Sequence, residues 1–175
     1  MEITLKYTDD TDRALGAAGM AVGIVVANAE ELAEGIDLDL PSDRMMLLSD
    51  SFWLAGIHGS SVRSMMNQMV AAYRVTVSMA IANLLCRSII GRSHVATQEE
   101  RKTLLDAIMA EGHESCCLDD DEIHSIFDRD YNYMIRVFSH SGVQPIVRHI
   151  ADELKERRRF SRIELIEALR PLSSL

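Results

Sequence analysis

Apolar residues recur every three or four positions through almost the whole chain, with few breaks at its three prolines, Pro41, Pro145 and Pro171, or its nine glycines. That spacing gives a helix one continuous apolar face, so the chain reads as all-α. The expected architecture is a single-domain helical bundle of about six to seven helices around a long central helix. The exception is Ile3-Thr4-Leu5-Lys6-Tyr7-Thr8, which alternates apolar and polar and carries two threonines, the pattern of a short strand. A lone strand lacks a hydrogen-bonding neighbour, so residues 1–10 are expected to pair with a second copy, to pack as an extended arm, or to be no strand at all.

The first helix is expected from Asp12 to Glu34. Its stretch Ala14 to Ala29 is apolar except for Asn28 and contains Gly16, Gly19 and Gly23. Each glycine costs about 1 kcal/mol relative to alanine in a water-facing helix, so three of them imply that another backbone comes close. That backbone could belong to the same chain or to a second subunit, and both readings stay open at this point.

Ser42 or Asp43 caps a second expected helix that runs to about Ile57, and Gly56 to Ser61 breaks the chain before the longest one. From Ser61 to Ile90 that helix would span about 45 Å. Val62, Met65, Met69, Met79 and Ile90 fall on its apolar side, and Arg63, Asn67, Arg74, Ser78 and Ser88 fall opposite. Thr97 with Glu100 and Ser161 with Glu164 have capping-box spacing and open two further helices. Gly112 is expected to close the first of these, and the second lies within the short C-terminal segment 159–175. Between them, Asp119 to Glu122 place four carboxylates at the positive end of a helix reaching His140, and Pro145 fits the first turn of a helix to about Arg158.

Composition changes this picture little. With 175 residues, 47% of them hydrophobic, the chain can bury a core without a metal or disulfide, and a net charge of −9 opposes general affinity for nucleic acid or anionic membranes. Cys86, Cys116 and Cys117 cannot all pair within one chain, and Met1 to Lys6 lack a basic, then apolar leader. A cytoplasmic location is the corresponding expectation, with no membrane association and no cofactor.

Several clusters could carry chemistry. His113, Cys116, Cys117, Asp119, Asp121, His124 and Asp128 are the densest group of metal-capable side chains, and Asp121, His124 and Asp128 share one helix face. Against a metal site stand the single Asp-x-x-His, Asp121 to His124, where a di-iron bundle takes Glu-x-x-His on two helices, and the adjacent cysteines, which cannot easily reach one tetrahedral centre. Gly59, Ser60, Ser61 and Arg63 could hold an anion at the start of the long helix, although serine capping explains the same residues. Lys155, Arg157, Arg158, Arg159 and Arg162 suggest a helix-turn-helix contact with nucleic acid, but Glu164 and Glu167 on the following helix would face the phosphates. The pairs Met45-Met46 and Met65-Met66, with Met69 and Met79, could line an adaptable groove or simply fill the core. Asp130 falls inside the apolar arc of its helix. It is therefore expected to be buried and paired with Arg63, Arg74, Arg87 or Asn83, with Arg74 and Arg87 preferred, as an interhelical lock or a ligand anchor.

The function expected from these features is non-catalytic, acting through protein–protein contacts or a buried small ligand, in a homo-oligomer with a dimer preferred. The alternatives are a metal-dependent enzyme built around His124 and Asp128, and a nucleic-acid-binding regulator using residues 155–162.

Overall fold

The structure, a computed structural model, describes residues 6–57 and 59–174. Among these residues run seven α-helices: α1 (Asp10–Val26), α2 (Asp50–Trp53), α3 (Val62–Leu85), α4 (Gln98–Cys116), α5 (Asp120–Ser139), α6 (Val143–Arg157) and α7 (Arg162–Leu169). Three short strands accompany them: β1 (Ala33–Asp37), β2 (Met46–Leu48) and β3 (Arg159–Ser161). The fold is mostly helical, as the periodicity predicts. The strand expected over Ile3 to Thr8 lies largely outside the described residues, and Lys6, Tyr7 and Thr8 are not in a strand.

Every residue of α1 from Ala14 to Ile24 is buried, and the glycines explain how. A Cβ on Gly19 would stand 2.5 Å from the carbonyl oxygen of Ala82, and one on Gly23 would stand 2.8 Å from that of Ser78. α1 therefore lies backbone to backbone on α3, and the Ser78 hydroxyl donates to the Gly23 carbonyl at 3.1 Å. The close neighbour is this same chain, so the subunit-seam reading of the glycine stretch is corrected to a core helix. The helix also ends earlier than the apolar run suggests. Asn28 adopts a left-handed conformation at φ 51°, which asparagine tolerates, and the chain turns toward β1.

Ser61 caps α3, which continues beyond Leu85 as a π-helical segment, Cys86–Gly91. The stretch Val62–Gly91 is long and apolar enough to cross a membrane, but 72% of its apolar window is buried inside the chain. It packs against α1, α4 and α5, so it is covered on several sides. Ser78 and Ser88, placed on the solvent side by periodicity, are consequently buried. Its first turn is the least covered, leaving Val62 77% exposed.

The sheet has the order β2-β1-β3, antiparallel throughout. Ile36 pairs with Met46 on one side and Phe160 on the other, and these three side chains form one buried row against the helices. Gly35, at φ +150°, sits at the irregularity in the β1–β2 register, and the Phe160 carbonyl oxygen occupies the space where its Cβ would be. Two expectations are overturned here. The helix expected from Asp43 to Ile57 is β2 followed by the single turn α2, and the helix-turn-helix is interrupted by β3 after Arg158 reverses the chain at φ 64°.

Both expected capping boxes form, and Asp119 with Glu122 makes a third. Gly112 does not end α4. The helix runs on to Cys116 and stops at Cys117 in a left-handed conformation, whereas Gly112 is buried where a Cβ would stand 2.7 Å from the Tyr73 hydroxyl.

Candidate functional site

Between β2, α2 and the middle of α3, and reaching the end of α4, lies a cavity of about 290 Å³. Four methionines line it: Met20 of α1, Met46 of β2, and Met69 and Met79 of α3. Three of the four belong to the groove expected from the sequence. Of the rest of that group, Met45 is fully buried in the core and Met66 faces solvent. Phe52, Trp53 and Tyr73 add aromatic surface, with the Phe52 and Trp53 rings edge to face at 5.1 Å. Trp53 donates its indole N–H to the Leu48 carbonyl at 3.3 Å while remaining 55% exposed, which places it at the mouth.

Asp43 and Glu111 are the charged side chains in the wall. Glu111 accepts a hydrogen bond from the Ser115 hydroxyl at 2.7 Å, and Asp43 lies 3.8 Å from the exposed Arg44. Tyr73 donates to the Ile108 carbonyl at 3.0 Å, and the Cys116 thiol approaches the Met69 carbonyl at 3.6 Å. Burial, reinforced by Cys116 and Glu111, pushes the Tyr73 phenol up to about 12. Burial, followed by Glu111, likewise raises the Cys116 thiol. Both groups are therefore protonated at neutral pH, and a protonated thiol is a poor nucleophile.

On the other side of α2 is a broader groove of about 1130 Å³, lined by Glu31, Arg74, Arg129 and Asp130 among others. Phe52, Ala55 and Ala72 border both spaces. Asp130 is largely buried, its side chain 16% exposed, but its ion pair is with the adjacent Arg129 at 2.8 Å. The expected partners are engaged differently or not at this carboxylate. Arg87 makes a forked pair with Asp12, Asn83 donates to the Tyr7 hydroxyl, and Arg74 lines the groove from an exposed position. Asp130 is thus at the rim of a groove and locks no helix pair, so the large loss that a buried interhelical pair would cause does not follow.

The metal-capable cluster is dispersed. Among the described residues, no group of three or more His, Cys, Asp or Glu side chains is placed to hold a metal ion. Asp128 is bound by Arg101 at 2.5 Å, His113 by Asp120 at 2.8 Å, Cys116 is buried and Cys117 is exposed, while Asp121 is exposed and His124 half-buried. A helix start and a left-handed cap direct neighbouring side chains apart, which linear proximity cannot reveal.

Ser61 caps α3 by accepting from the Ser64 N–H at 3.2 Å. Gly59 packs against Met65, where a Cβ would meet it, Ser60 precedes the cap, and Arg63 is exposed. These residues make the turn into the helix. The basic segment is engaged by the chain's own acids and hydroxyls: Lys155 with Thr11, Arg157 with Glu164, Arg158 with Asp10 and Asp39, Arg159 with Asp37, and Arg162 with Glu34. It fastens β3 and α7 to α1 and β1.

The cavity residues without a signal in the sequence include Met20, Asp43, Phe52, Tyr73, Thr76, Glu111 and Ser115. A usable signal existed in Trp53, the single tryptophan, directly beside Phe52. The chain matches no family model, no curated protein and no solved structure.

Proposed function

We propose that the protein is a non-catalytic binding protein that holds a small apolar ligand in the cavity beneath Trp53. The observation that carries this reading is the lining itself: four flexible thioethers and three aromatic rings around about 290 Å³ of space that opens to solvent. Methionine adapts to ligand shape at small cost because its side chain is unbranched and polarizable, and apolar walls with a few polar groups are the usual composition of a ligand site. Trp53 reports on occupancy. A neutral ten-carbon alcohol, decanol, is expected to shift Trp53 emission to shorter wavelength in a saturable manner. Thr76→Phe, which fills the space from α3, should remove that response while preserving the far-ultraviolet circular dichroism. An emission that stays constant with decanol and with its ammonium counterpart alike, or a response that survives Thr76→Phe, overturns the reading.

A second reading, contact with another protein chain, rests on a separate observation. Of the exposed large hydrophobics among the described residues, Trp53, Leu54, Ile57, Val62 and Met66 all fall within one short segment around α2 and the start of α3. Such clustering is the mark of an interaction surface. A second copy of this chain is the partner we propose, in a symmetric dimer. Multi-angle light scattering should give twice the monomer mass at micromolar concentration and the monomer mass for Val62→Glu/Met66→Glu; a native protein of monomer mass removes this reading and leaves the cavity reading untouched.

A further inference from the structure

We infer that the ligand selected by the cavity beneath Trp53 is a hydrophobic cation: an ammonium group carried on an apolar body. The inference rests on the ligand-binding reading and deepens it. Among the residues lining the cavity, Asp43 and Glu111 are the charged ones, and neither a lysine, an arginine nor a histidine joins them. Several carboxylates elsewhere are closely matched by cations: Asp12 by Arg87 at 2.6 Å, Glu100 by Arg92 at 2.7 Å, Asp39 by Arg158 at 2.8 Å. Inside this cavity the matching is looser. Glu111 has a neutral hydroxyl partner, Ser115, and Asp43 has Arg44 only at 3.8 Å, with that arginine side chain 75% exposed.

The aromatic lining points the same way. Phe52, Trp53 and Tyr73 bring three ring systems to one small space, and ring faces attract cations through their quadrupole, tryptophan most strongly. Methionine sulfur is polarizable and accommodates an adjacent alkyl chain. An ammonium headgroup would gain from both carboxylates and rings. A carboxylate of the same shape would be repelled by Asp43 and Glu111 at close range, and a neutral alcohol would gain only from the walls. The expected order of affinity is therefore cation, then neutral, then anion.

Three probes of equal chain length separate these outcomes: decylammonium, decanol and decanoate at pH 7, each titrated into the 175-residue protein below its aggregation threshold and followed by Trp53 emission and calorimetry. Decylammonium is expected to bind about tenfold more tightly than decanol, with decanoate weaker still. In Asp43→Asn/Glu111→Gln, that preference should contract to about twofold while decanol affinity stays as it was. Thr76→Phe must abolish decylammonium binding, since association that persists there would be attraction to the surface of an acidic protein and would overturn the proposal. Decanol or decanoate binding as tightly as decylammonium overturns the cation assignment and leaves the ligand-binding reading standing. If none of the three binds, both fall together.

Discussion

Arg87→Ala should lower the free energy of unfolding by about 3 kcal/mol, because it strands a carboxylate inside the protein. Arg87 reaches from the π-helical segment to Asp12 through two parallel bonds, Nε to Oδ1 at 2.7 Å and a terminal nitrogen to Oδ2 at 2.6 Å, and both side chains are nearly buried, at 12% and 14% exposed. The same guanidinium donates to the Lys6 carbonyl at 2.8 Å and lies over the Tyr7 ring at 4.6 Å. One side chain therefore ties the start of the chain, α1 and the end of the long helix together. The pair also sets a pH dependence. Burial draws the Asp12 carboxyl upward, but the Arg87 bonds and the Thr8 N–H outweigh it and hold the group below the ordinary aspartate value. A carboxyl that titrates lower when folded adds stability above the unfolded value of about 4 and loses it as pH falls through the folded value. Urea unfolding between neutral pH and pH 3 should show that acid loss in the native protein and a shallower one in both Arg87→Ala and Asp12→Asn. A loss below about 1 kcal/mol in Arg87→Ala at pH 7 would assign the pair to the surface class.

Gly19→Leu is the second large effect, and it is expected to unfold the protein or destabilise it by about 3 kcal/mol or more through overpacking. Even a methyl group at Gly19 would lie 2.5 Å from the Ala82 carbonyl oxygen and 2.6 Å from the Cys86 Cβ, so α1 and α3 must separate before a side chain fits. Gly16→Ala supplies the contrast. Its nearest atoms, Asn83 Nδ2 at 2.7 Å and Tyr7 Cε1 at 2.8 Å, belong to side-chain ends that can move without displacing a backbone. Thermal melts of the two variants should therefore differ markedly, with Gly19→Leu the lower. A folded Gly19→Leu monomer with native melting would mean that this helix face meets another subunit.

The apolar groove was only half legible. Met46, Met69 and Met79 stood out by residue type, because the thioether has the same packing properties wherever it sits. Asp43 and Glu111 did not, since they lie far apart in the chain and meet one space only after β2 and α4 have docked on α3. The basic run before α7 shows the opposite failure. As a string it resembles a nucleic-acid contact, and folding matches Arg158, Arg159 and Arg162 to Asp39, Asp37 and Glu34, acids more than a hundred positions away.

Local pattern alone was enough for the long helices α3 to α6 and for the capped starts of α4, α5 and α7. An apolar stripe at 3.6-residue period and a capping box are local: Thr97 and Glu100, or Ser161 and Glu164, exchange their bonds within one turn whatever the rest of the chain does. Only the tertiary structure decided the sheet, the close contact of α1 with α3 and the partners of the charged groups. Ile36 becomes a strand residue because Met46 and Phe160 flank it, and Gly19 becomes indispensable because the Ala82 carbonyl lies against it. A strand gains its hydrogen bonds, and a buried charge its counter-ion, from segments distant in the chain. That energy exists only once those segments have met, so no local pattern encodes it.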